Sequence, residues 1–161
     1  MNRNLNRRIH PIAEADGLSP KKPRKITSAI ITPVLAAGST TSPYQFQVNI
    51  TQRLCHSSCV GLQPSFFPIF TFREISKVAD NQYMVRVHLE GTVVYVPCDG
   101  NECCTKAQLI SQDFSIPVAS VAAPTSVTVE GGAPVNAIVG QPCQRCSRTF
   151  VSEAPLTLTI A

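Results

Sequence analysis

The chain has 161 residues, of which 15% are charged and 6% aromatic, with no tryptophan and with 13 prolines among many Thr, Ser and Val. That length fits one domain with a core large enough to fold without covalent staples, and the shortage of helix formers points to an all-β protein. The net charge of +4 is not spread over the chain: residues 1–25 carry Arg3, Arg7, Arg8, Lys21, Lys22, Arg24 and Lys25 against Glu14 and Asp16, which leaves the remainder at −1.

Residues 1–25 form an extended basic arm with little apolar content and no sustained period, so they do not fold on their own. Within the arm, "SPKKPRK" resembles a nuclear-import or nucleic-acid-contacting tract, although a solvated tail is the commoner outcome for so short a run. The first apolar run, Ile26 to Gly38, lies too deep for a secretory signal and is broken by Thr27, Ser28, Thr32 and Pro33. The expectation is a product made in the cytosol without a clear signal peptide. No segment is long and apolar enough to span a bilayer, so no membrane partner is expected.

From residue 26 to 161 the chain reads as one β-domain. Ile26 to Val34 is a weak strand. "YQFQVNITQ" then puts Tyr44, Phe46, Val48 and Ile50 on one face and Gln45, Gln47, Asn49 and Thr51 on the other, the period of a half-buried antiparallel strand. The glycosylation sequon Asn49 to Thr51 falls in mid-strand and is discounted. Phe66 to Arg73 is a third strand. "QYMVRVHLEGTVVYVP" carries Tyr83, Val85, Val87, Leu89, Val93 and Tyr95 in phase with Arg86, His88 and Glu90 opposed, and Gly91 in its middle predicts a bulge or a hairpin kink. Weaker strands follow at Leu109 to Val118, Ser126 to Glu130, Val135 to Val139 and Leu156 to Ile160, separated by "PCDGNE", "AAPTS", "EGGAP" and "GQP", with "EGGAP" read as a hairpin turn. Seven or eight short strands with no amphipathic helix between them predict an antiparallel β-sandwich or jelly-roll-like domain.

Seven cysteines, Cys55, Cys59, Cys98, Cys103, Cys104, Cys143 and Cys146, are the disulfide or metal candidates. Thiol–disulfide catalysis needs a CxxC at a helix start, and "PCQRCSRTF" lies between β segments instead. Four thiolates from "CDGNEC" and "CQRC", or from "CHSSC" with its own His56, would make a tetrahedral zinc site, but only Cys143 and Cys146 have the usual ligand spacing. Disulfides are therefore preferred, with no cofactor expected and zinc as the alternative. An odd count leaves one thiol unpaired. Cys103 and Cys104, being neighbours in extended chain, should face opposite sides and take different partners.

Catalytic signatures are lacking. His10 lies in the arm, His56 between two cysteines and His88 on a polar strand face, the carboxylates are scattered singly, and nothing in the spacing supports a Cys55–His88 nucleophile pair. The chain is expected not to be an enzyme. A basic arm ahead of a β-sandwich resembles the general plan of capsid proteins, in which the arm contacts genome or neighbouring subunits; no specific motif is shared. The plan is also similar to that of disulfide-linked spore-appendage subunits, whose arms carry the linking cysteines, whereas residues 1–54 here contain none. The expectation is a structural, self-assembling subunit of a virion (capsid, decoration or appendage) or of a surface or spore filament, with copies of itself or other structural subunits as partners. The competing expectation is a zinc-stabilised β-domain that binds nucleic acid through its basic arm.

Overall fold

The computed structural model describes residues 28–98, 104–120 and 122–161, so the basic arm and Cys103 lie outside the described residues. Eight strands run in chain order: β1 (Ile30–Leu35), β2 (Tyr44–Cys59), β3 (Ile69–Ala79), β4 (Gln82–Tyr95), β5 (Lys106–Ala119), β6 (Val127–Gly131), β7 (Val135–Val139) and β8 (Cys146–Ile160). All pair antiparallel, in two sheets. One has the order β1-β2-β8-β6 with β7 also on β8, and the other the order β3-β4-β5. Among the described residues there is no helix.

The alternation predicted for β2 holds: Tyr44, Phe46, Val48, Ile50 and Leu54 are buried while Gln45, Gln47 and Asn49 face out. β8 supplies the matching row, Phe150, Ala154, Leu156 and Leu158, each with no solvent exposure. From the other sheet Val85, Val87, Leu89 and Val93 of β4 and Ile116 of β5 complete a single core. Fully burying one such Val, Leu, Ile or Phe side chain contributes about 1.5–3 kcal/mol. Phe66 stacks edge-on against Phe150 with ring centroids 5.2 Å apart, and Phe70 against Phe114 at 6.1 Å.

Gly91 makes neither a bulge nor a kink. The β4–β5 register runs unbroken from Gln82↔Ala119 to Tyr95↔Lys106. Gly91 occupies an inward position of β4, and a Cβ there would stand 2.5 Å from the Phe66 ring. Glycine is required by close approach, and the residue that fills the gap comes from the crossing segment between β2 and β3.

"EGGAP" is likewise not a hairpin turn. β6 pairs with the C-terminal end of β8 (Val127↔Ile160 to Gly131↔Leu156) and β7 with its middle (Val135↔Glu153 to Val139↔Thr149). They are two halves of one edge strand, joined by a one-residue jog. The jog surrounds Pro155: Gly132 N–H donates to the Pro155 carbonyl at 2.8 Å, and a Cβ on Gly132 would lie 3.0 Å from the proline ring. In an antiparallel ladder the N and C=O of one residue point to the same neighbour. The N–H that Pro155 lacks is therefore missing where the edge strand breaks step, which is what lets a proline sit in a strand paired on both sides.

β8 is longer than its predicted span, beginning at Cys146 rather than Leu156. Its pairing with β2 shifts register between Arg53 and Ser58. That irregularity bends the end of β2 toward the other sheet, where Ser58 bridges Pro97 and Ser58 Oγ donates to the Val96 carbonyl at 2.7 Å.

Candidate functional site

The bent end of β2 brings one cysteine from each of three sequence motifs together. Cys59 and Cys146 are directly opposed in the β2–β8 register. Cys98, just past β4, is anchored by its N–H donating to the Ser57 carbonyl at 2.8 Å. The three sulfurs all lie within 4.8 Å of one another, and all three residues are half-buried. Cys98 and Cys146 are joined as a disulfide, with Cα atoms 6.0 Å apart across 48 residues of sequence. Cys59 keeps a free thiol, its Sγ 3.2 Å from Cys98 Sγ.

The other candidate cysteines stand apart from this group. Cys55, Cys104 and Cys143 are exposed and free. Cys55 sits in the irregular stretch of β2, where its N–H donates to the Gln108 side chain at 2.9 Å. Cys143 has a left-handed backbone, φ 65°. Its turn is closed by Gln144 N–H donating to the Gln141 carbonyl at 3.0 Å, with Pro142 second and Cys143 third, the place a type II turn usually gives to Gly or Asn. Cys103 and the arm residues Arg3, Arg7, Arg8, Lys21, Lys22, Arg24 and Lys25 lie outside the described residues.

His56 does not join the sulfurs as a ligand among the described residues. Its backbone N–H instead donates to the Tyr95 hydroxyl at 3.2 Å. Burial pushes the Tyr95 phenol above its ordinary value, and the bond from His56 partly offsets that.

A polar network missed at the sequence level covers the outer face of the three-stranded sheet. His88 Nδ1 lies 2.5 Å from Asp113 Oδ1, its directly opposed residue. Ser111 Oγ lies 3.2 Å from His88 Nε2. Arg86 bridges Asp113 at 2.7 Å and Glu74 at 3.1 Å, so the chain of contacts crosses β3, β4 and β5. Hydrogen bonds from His88 and then Arg86 hold the Asp113 carboxyl below the usual carboxylate range. The same carboxylates hold the Arg86 guanidinium above its ordinary value, the bond to Glu74 contributing most.

Ser111, His88 and Asp113 thus stand in the order of a hydrolytic triad. Ser111, however, is a mid-strand residue opposed to Glu90 in the ladder. The signal for the network was present in sequence as alternate polar residues on two strands, but the pairing that joins them requires the register. An open depression of about 780 Å³ lies elsewhere, at the β1–β8 end of the larger sheet, lined by Ile30, Thr51, Arg53, Gln141, Gln144 and Arg148 among others.

No family model, no curated protein and no solved structure matches this chain.

Proposed function

We propose that the chain is a structural, self-assembling subunit: its two sheets pack face to face as a β-sandwich, and copies join into a virion capsid, decoration or appendage, or into a surface or spore filament. The observation that carries this is the contrast between the two outer faces. In the larger sheet the outward positions Gln45, Gln47, Asn49 and Thr51 of β2 and Val151, Pro155, Thr157 and Thr159 of β8 are uncharged, and the charges on that face are Arg53, Glu130 and Glu153. The face ends on β1, where Ile30 is 67% and Val34 47% exposed, and Leu35, in the opposite row against Phe46, is also 47% exposed. The smaller sheet instead carries Glu74, Arg86, His88, Glu90 and Asp113 outward. Interface cores are depleted in charge, so the low-charge face is the one suited to be covered, and the ionic face the one suited to water.

β1 is a terminal strand of its sheet, and such an edge offers unpaired backbone groups to another chain. Ala36 N–H donates to the Gln45 carbonyl at 2.8 Å, so even-numbered residues bond β2 and Ile31, Pro33 and Leu35 point to the free edge. Pro33 brings no donor to that edge. Side-chain packing on Ile30, Val34 and Leu35 therefore carries the contact more than an added ladder does. The basic arm precedes this strand in the sequence, and in this reading it contacts the same neighbour.

Particle size of the full chain against concentration, by light scattering and electron microscopy, tests the proposal. The wild type should form large regular particles, and Ile30→Lys with Val34→Lys should abolish them while leaving the β spectrum and thermal unfolding intact. The paired control Glu74→Lys on the ionic face should assemble normally. A wild type that stays monomeric at high concentration would overturn the subunit assignment.

A further inference from the structure

"CHSSC", "CDGNEC" and "CQRC" are far apart in sequence, yet each delivers one sulfur to the same point. A disulfide uses only two of the three. With the Cys98–Cys146 bond closed, Cys59 is left against it at 3.2 Å. Opening that bond would leave three thiols on positions whose sulfurs lie within 4.8 Å of one another in the bonded form. We propose that the reduced protein holds one zinc ion on Cys59, Cys98 and Cys146, with Cys143 as the fourth ligand.

The spacing of the sulfurs fits that ion. Zinc–thiolate bonds of about 2.3 Å in a tetrahedron place sulfurs about 3.8 Å apart, against 3.2 Å between Cys59 and Cys98 Sγ here, and the Cys98–Cys146 pair reaches that spacing once its bond is opened. The group is also positioned before any metal arrives. Cys59 and Cys146 are fixed by strand pairing, and Cys98 by its bond to Ser57. Three thiolates at such distances repel one another, and either a cation or oxidation relieves the repulsion. Soft sulfur donors select zinc, copper(I) or iron–sulfur clusters over hard cations, and a closed four-sulfur tetrahedron is the zinc arrangement.

Cys143, whose sulfur is not within 4.8 Å of all three others while the disulfide is closed, is assigned as fourth ligand on its place in the sequence. It stands three residues before Cys146, the C-x2-C spacing that pairs zinc ligands, and it is exposed and unbonded. It also holds φ 65° at a turn position where glycine costs nothing. Closing the Cys98–Cys146 bond removes two ligands, so the oxidised and zinc-bound forms exclude each other. This site does not depend on the subunit proposal, since it concerns a single chain.

The experiment titrates the reduced full-length chain with cobalt(II) alone under anaerobic conditions and reads thiolate-to-cobalt charge transfer, then displaces cobalt with zinc. One ion per chain, with the intense visible bands of a tetrahedral sulfur site, is expected. Cys59→Ser and Cys143→Ser should each weaken binding more than about tenfold, while Cys55→Ser binds as the wild type does. Should Cys59→Ser fail to fold, alkylation of the wild type decides: zinc must protect Cys59, Cys98, Cys143 and Cys146 while Cys55 and Cys104 react. A folded reduced protein that takes up neither ion, or that gains no such protection, would overturn the site. Cys143→Ser binding as the wild type does would overturn the assignment of the fourth ligand.

Discussion

The Phe66 ring occupies the space in which a side chain at Gly91 would begin: a Cβ there would stand 2.5 Å from one ring carbon and 3.1 Å from another. Phe66 is 3% exposed and packs edge-on against Phe150, so it has nowhere to retreat. Gly91→Ala should therefore destabilise the fold by about 1–3 kcal/mol through overpacking, although alanine ordinarily suits a strand better than glycine. Urea denaturation measures this. The double variant Gly91→Ala with Phe66→Leu should recover part of the loss, because leucine vacates the clash, and its failure to do so would place the cause elsewhere.

Asp113 is the hinge of the outer-face network, accepting from His88 and Arg86. Its carboxyl is held below the ordinary value by those bonds. A carboxyl depressed in the folded state contributes stability that is present above the unfolded value, about 3.9, and is lost as pH falls through the lower folded value. Wild type should thus exceed Asp113→Asn in stability at neutral pH, with the gap closing below about pH 4. Denaturation midpoints of the two proteins across pH 2 to 7 are the measurement, with that range set by the ordinary carboxylate titration. A gap independent of pH would mean that the network contributes through packing alone.

Much of the fold was legible because apolar residues alternate wherever one face is buried. Tyr44 to Ile50 show that period without interruption and Val85 to Tyr95 with Gly91 as the one break, and both are strands at the expected places. The first half of β8 was hidden for a physical reason. Its inward row includes Ser152, and Pro155 lies in its path, so the stretch before Leu156 lacked both the alternation and the composition of a paired strand. Gly91 and the Gly131–Gly132 pair were recognised as special but given local causes, a bulge and a turn. Their causes are non-local, Phe66 in one case and Pro155 in the other. The candidate site was legible only as an inventory of seven thiols. Which three meet depends on the bend of β2 and its register with β8, and neither is written in ligand spacing.

The arm carries the excess charge, seven basic against two acidic groups in residues 1–25, while the remaining residues sum to −1. Deleting those residues removes nothing from the core described above, so the truncated chain should keep its thermal unfolding but lose assembly. Salt separates the two kinds of partner. Contact with nucleic acid through about five to seven phosphates releases counterions and makes affinity fall steeply as salt rises, whereas docking on a neutral protein face gives a shallow response. Particle size and nucleic-acid retention measured across a salt series distinguish them. Full assembly by the truncated protein would exclude the arm from the contact.

Ser152 and Asn136 face each other across β8 and β7, and each buries an oxygen, Ser152 Oγ and Asn136 Oδ1, that finds no partner among the described residues. The Asn136 amide is otherwise committed, its Nδ2 donating to the Phe66 carbonyl at 2.9 Å, which holds the crossing segment against the sheet. Ser152 has no such task, and at 1% exposure it sits within the core row of β8 between Phe150 and Ala154. A buried hydroxyl without a bond costs about 1–3 kcal/mol of desolvation. Alanine removes that cost, fits the same volume and repeats its neighbour at Ala154. Ser152→Ala should therefore raise stability by about 1 kcal/mol, while Asn136→Ala, which breaks the bond to Phe66, should lower it by at least as much. Chemical denaturation of both variants, with the disulfide state held constant, tests the pair. Loss of stability in Ser152→Ala would show that its hydroxyl is bonded in solution and that the core row is satisfied as it stands.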